Sequence, residues 1–172
     1  MRIVLHVLIA LGGLLLQGTI MSQISSDVLK PDLAFLVVVY LGLHLADTEG
    51  TIGVLAIGYL ADVFSVQPDG TFMLLYFGAF YLAAGASKVF YFRGTGFPAV
   101  MVFSLSLVYS AAISWMTHRA AAIPEATDPR IFSWGFLLAF SVANVLFSIP
   151  LFRLCRVVDS DRDLRSGNRA RL

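Results

Sequence analysis

The sequence predicts an all-α integral membrane protein, a six-helix transmembrane bundle in which two helices are short. Composition is the first reason. Of 172 residues, 58% are hydrophobic and 13% are charged, about half the charged share of a soluble domain. Mean hydropathy is +0.82. A water-soluble chain this short cannot bury so much apolar surface, whereas hydrocarbon removes the difficulty. The second reason is six apolar runs, and the third is the turn chemistry that separates them. The net charge of +1 excludes the strong basic field of a nucleic-acid binder. The single cysteine, Cys155, cannot form an internal disulfide and reads as a small apolar filler near a helix end.

The first run covers residues 3–21, interrupted only by His6, Gln17 and small residues. It follows Arg2 as a signal peptide would, but no Ala-x-Ala-like site follows it and its apolar part is long. It is expected to be an uncleaved first helix. The remaining runs are 33–46, 51–64, 72–92, 97–117 and 131–152. A full span needs roughly 20 residues at about 1.5 Å each. The runs at 33–46 and 51–64 fall short, so they must be short helices, extend into polar flanks, or sit partly inside the bundle.

The breaks carry recognisable signals. Pro31 and Asp32 open the second run, proline suiting a first helical position and the acid suiting a positive helix N-terminus. Asp47-Thr48-Glu49-Gly50 separates the two short runs and again places acids at a helix start. Pro68-Asp69-Gly70 reads as a tight turn. Pro124 and Pro129 bracket the longest polar loop. From Arg153 to Leu172 the chain holds six arginines and three aspartates. The division is therefore a bundle over 1–152 and a basic tail over 153–172, disordered or lying on lipid headgroups.

With six spans and both termini on one side, that side holds Arg2, Lys88, Arg93 and the six tail arginines. The other holds Lys30, Arg119 and Arg130. The positive-inside bias makes the arginine-rich side cytoplasmic. Fusing 33–64 into one span leaves the bias unchanged. It would need a helix of about 48 Å and would place Asp47 and Glu49 near mid-membrane, at roughly 2.5 kcal/mol or more for each acid.

Few polar residues enter the runs. For Asp62 three readings are open: an interfacial acid, a structural acid paired within the bundle, or a proton or ion relay. His6 is one turn from Arg2 and is expected near the headgroups. His44 and Asp47 are too few to make a metal site. Asn144 is expected to hydrogen-bond across helices, and His118 to be solvated. Small residues form two rows, Gly42, Ala46 and Gly50 in one, Gly78, Ala79, Ala83, Ala84, Gly85 and Ala86 in the other. Each suits close helix packing, within the bundle or against a partner helix. There is no phosphate-binding loop, no His-Glu-x-x-His and no Gly-x-Ser-x-Gly. No enzyme, cofactor or metal is therefore expected.

The stretch from Lys30-Pro31-Asp32-Leu33, through the apolar run to Tyr40, Gly53, Gly58-Tyr59-Leu60-Ala61-Asp62, Gly70 and a Tyr81-containing helix, resembles the MreD family. The specific part covers residues 30–85. Lys30 stands where that family usually has arginine, and Asp69 where an apolar residue is common. The resemblance implies a non-enzymatic part of the bacterial peptidoglycan-elongation machinery in the cytoplasmic (inner) membrane. Its implied partner is an MreC-type single-span protein, linked in turn to an MreB filament and to a RodA-type glycosyltransferase with its transpeptidase. The family is similar in fold to the S-components of energy-coupling-factor vitamin transporters, which supplies the alternative of a vitamin-binding transporter subunit. Such a subunit needs a polar or aromatic pocket; the sequence offers Tyr76, Phe77, Phe80 and Tyr81 in the fourth helix, and Trp115 and Trp134 near the outer interface, where tryptophans are expected anyway. The structural or partner-binding candidates are Pro31, Asp32, Gly42, Gly58, Asp62, Gly70, Gly78 and Gly85.

Overall fold

The computed structural model describes residues 2–19, 31–45, 47–65, 70–89, 96–120 and 134–169. All of the regular structure among them is helical: α1 (Arg2–Thr19), α2 (Leu33–His44), α3 (Thr48–Val63), α4 (Thr71–Val89), α5 (Gly96–Ala120) and α6 (Trp134–Arg169). Three described segments are long and apolar enough to cross a membrane, Thr71–Val89, Gly96–Met116 and Trp134–Ser160, and α1 and α2 are shorter apolar helices.

The bundle is organised around α2. That helix touches all five others, and every residue from Ala34 to Gly42 is buried. A helix that is apolar on all sides has no solvent-facing stripe to offer and belongs in a core. Its 12 residues extend only about 18 Å. The polar residues at its ends are satisfied within the protein, as described below.

The other helices are apolar outside as well as inside. Val4 and Leu8 of α1, Ile52 and Tyr59 of α3, Leu74 of α4, Val108 of α5 and Leu146 of α6 are all exposed. Such a surface suits lipid rather than water.

Contacts fix the helix directions. Gly13 of α1 meets Leu33 of α2 and His6 stacks on Tyr40, so α1 and α2 are antiparallel. Asn144 of α6 lies at Asp32 and Phe152 at Tyr40, so α2 and α6 run parallel. Tyr76 of α4 lies at Asp32, and the backbone of Phe80 and Ala84 lies at Gly42, so α4 runs with them. The start of α1 and the later part of α6 therefore lie at one end of the bundle, where His6 and Asp159 meet.

Several expected boundaries move. Thr48 to Gly50, read as a break, form the first turn of α3, and Asp47 is its N-cap. Pro31 precedes the N-cap rather than opening the helix, because Asp32 takes the cap position. The largest change is in α6, which does not end at Phe152 but continues to Arg169. Its inward stripe runs Leu137, Ser141, Asn144, Ser148, Phe152 and Cys155, all buried, at spacings of three and four. The segment expected to be a disordered or headgroup-bound tail is thus helical over 153–169. The ends of the first, fourth and sixth runs, at 20–21, 90–92 and 131–133, lie outside the described residues.

Candidate functional site

Two polar joints pin α2. At its start, Asp32 accepts a hydrogen bond from the backbone N–H of Phe35 at 2.9 Å, which caps the helix. The Tyr76 hydroxyl of α4 donates to the same carboxylate, at 2.8 Å from Oδ2 and 3.0 Å from Oδ1. The Tyr109 hydroxyl of α5 donates to Oδ2 at 2.5 Å. The backbone N–H of Asp32 donates to Asn144 Oδ1 of α6 at 2.9 Å, and Asn144 Nδ2 donates to Ser106 Oγ of α5 at 3.1 Å. Gln17 of α1 donates to the carbonyl of Pro31. Five helices converge on one carboxylate and the peptide before it. The positive end of α2 and the donors gathered around the carboxylate offset part of the cost of burying it.

The second joint lies toward the other end of α2. The Tyr40 hydroxyl donates to Asp159 Oδ2 of α6 at 2.7 Å. His6 Nε2 of α1 lies 3.7 Å from Asp159 Oδ1. His44 stacks on Tyr40 with ring centroids 4.3 Å apart, and its Nδ1 lies 3.1 Å from the Tyr40 carbonyl. His6, expected near the headgroups, faces the protein interior. It is fully buried, because its position on α1 faces Tyr40. His44 and Asp47 turn to separate tasks, since Asp47 Oδ1 accepts from the Gly50 N–H at 2.8 Å.

A third joint ties α3 to α4. Asp62, at the end of α3, accepts hydrogen bonds from the N–H groups of Phe72 at 2.8 Å and Met73 at 3.1 Å. It thereby caps a helix other than its own. Gly58, one turn earlier, lets the two helices approach: a Cβ there would sit 2.7 Å from Met73 Cα. The spacing Gly58-x-x-x-Asp62 thus places a gap and an acceptor on one face, opposite the first turn of α4. Gly70 stands just before that turn with φ +87°, a conformation that side chains resist. Its carbonyl accepts from the Leu74 N–H at 3.0 Å.

The two small-residue rows differ in fate. A Cβ on Gly42 would meet the Phe80 carbonyl at 2.6 Å, and one on Gly50 would meet the Leu45 carbonyl at 1.9 Å. Both glycines are consumed by packing within the bundle; Ala46 lies outside the described residues. The α4 cluster is split. Ala79, Ala83 and Ala84 are buried, while Gly78 and Gly85 are exposed with nothing within 4 Å of an added Cβ. Leu74, Tyr81, Leu82 and Val89 surround them on the outside of the helix. Trp115 and Trp134 are also exposed. The His118 side chain lies outside the described residues.

The joints bring Pro31 and Asp32 together with residues that sequence reasoning passed over. Tyr109 is one, and Tyr76, named from sequence only among the aromatics of the fourth helix, takes a different role here. A phenol within an apolar run needs a partner for its hydroxyl, and that was the available signal. For Asp159 the signal was the stripe ending at Cys155, whose next position it occupies.

Among curated proteins and among solved structures, nothing matches the chain. The family model described as rod shape-determining protein MreD matches residues 1–158. That span takes in five helices whole and α6 to the last turn before Asp159, and on it the chain belongs to the MreD family, as a helical membrane protein of rod-shape determination.

Proposed function

We propose that the chain is a non-enzymatic scaffold of the cell-wall elongation complex in the bacterial inner membrane. Its task is to hold an MreC-type single-span partner by close helix packing. Through that partner it is coupled to an MreB filament and to a RodA-type glycosyltransferase with its transpeptidase. Family membership supports the setting.

The observation that favours a particular face is the outside of α4. In lipid there is no hydrophobic drive between helices, so association needs close packing and hydrogen bonds. Gly42, Gly50 and Gly58 are already used for contacts inside the bundle. Gly78 and Gly85 stand two turns apart on the exposed side, where a partner backbone could approach between Leu74, Tyr81 and Val89. Packing is then the function, and no chemistry is asked of the site.

The test is affinity purification in mild detergent from cells carrying wild type, Gly78→Leu or Gly85→Leu. The leucine variants are expected to accumulate normally and to recover the single-span partner about tenfold less well, which corresponds to about 1.4 kcal/mol. Unchanged recovery moves the partner to another face. Recovery of a pair of cytoplasmic ATPases, with normal cell shape on depletion, would establish the vitamin-transporter reading instead.

A further inference from the structure

The C-terminal part of α6 differs from the rest of the bundle in how it is held. Pro150 stands inside the helix, removes the hydrogen bond its N–H would have made and weakens the rod there. Beyond it Arg153, Leu154, Arg156 and Val157 are exposed. Phe152 and Cys155 are buried, and Asp159 makes the polar contacts that follow. Those contacts cross to two other helices: the Tyr40 hydroxyl of α2 at 2.7 Å from Asp159 Oδ2, and His6 Nε2 of α1 at 3.7 Å from Oδ1.

We infer that α6 beyond Pro150 is a hinged strap, clasped across the α1–α2 end of the bundle by the carboxylate of Asp159. A helix end exposed over much of its described surface, with a weakened point at its root, opens at lower free energy than the body it lies on. Among the described residues, the hydrogen bond from Tyr40 to Asp159, with His6 3.7 Å from the same carboxylate, is a polar contact that resists opening. The strap carries Arg153 and Arg156, so its position sets where those charges stand relative to the bundle. The inference does not depend on which partner the α4 face receives.

Cys155 is the only thiol in the chain and lies fully buried one turn before Asp159, so it reports the strap. The experiment measures N-ethylmaleimide modification of the full-length protein in mild detergent at one fixed pH. Wild type is expected to react slowly. Asp159→Ala should react roughly tenfold faster, and the milder Tyr40→Phe about threefold faster. Asn144→Ala weakens the joint at the opposite end of α2, and it should leave the rate within about twofold of wild type. If Asp159→Ala and Tyr40→Phe leave Cys155 as protected as in wild type, no clasp exists. If Asn144→Ala exposes it equally, the contact merely stabilises the whole bundle, and the strap is overturned as well.

Discussion

Asp32 and Asp62 each offer a carboxylate to the N–H groups of a helix start, but they stand to lose different amounts. Asp62 serves two backbone N–H groups of α4. Asp32 serves one backbone N–H and the hydroxyls of Tyr76 and Tyr109, in the midst of five helices. Removing an acceptor leaves each donor unsatisfied, and losing a cap alone costs about 1 kcal/mol. Asp32→Ala is therefore expected to cost about 3 kcal/mol and Asp62→Ala about 1–2 kcal/mol. Unfolding in mixed detergent, followed by circular dichroism, compares them. Tyr109→Phe in the Asp32→Ala background should add almost nothing, since its partner is already gone. An additive pair, or Asp62→Ala as the costlier change, contradicts this account of the joint.

Among the elements, α3 and α4 show how a short sequence pattern becomes a packing device. At Gly58 the obstacle to a side chain is the backbone of Met73, which cannot rotate away as a flexible side chain could. Gly78 faces open space. Leucine at Gly58 should cost about 1–3 kcal/mol and lower the level of inserted protein, while leucine at Gly78 should leave that level unchanged. Quantitative immunoblots of membrane fractions decide, and equal losses would remove the distinction between inner and outer glycines. The same comparison shows what the sequence could reveal. Six helices were legible because apolar runs and turn residues are local signals. The central place of α2 was only half legible: its shortness left three options, and the contacts that choose burial come from five other helices. The two glycine rows looked alike because a row of small residues does not say which side is occupied. The end of α6 was misread because charge density from Arg153 onward outweighed the inward stripe that runs on through Cys155 to Asp159.

At the scale of the molecule, the meeting of His6 with Asp159 places the beginning of α1 and the end of α6 at one end of the bundle. That geometry is at odds with an arrangement in which 33–64 forms a single span, because α2 and α3 are separate helices and α2 runs parallel to α4 and α6. The end where His6 meets Asp159 also holds the end of α4 with Lys88, and the sequence sends the arginines of 153–171 in the same direction. The exposed Trp115 and Trp134 stand toward the opposite end, near the end of α5 and the start of α6, where an aromatic belt belongs. A strongly basic end faces the cytoplasm because translocating lysine and arginine is disfavoured. We therefore expect the C-terminus to be cytoplasmic, and the N-terminus with it. A fluorescent protein joined after Leu172 should glow, and alkaline phosphatase joined there should be inactive because it matures only outside the cytoplasm. Phosphatase placed instead between α5 and α6, within residues 121–133, should be active. Activity at Leu172 with none at that insertion would invert the whole bundle, and would put the α1–α2 end with its strap on the outer surface.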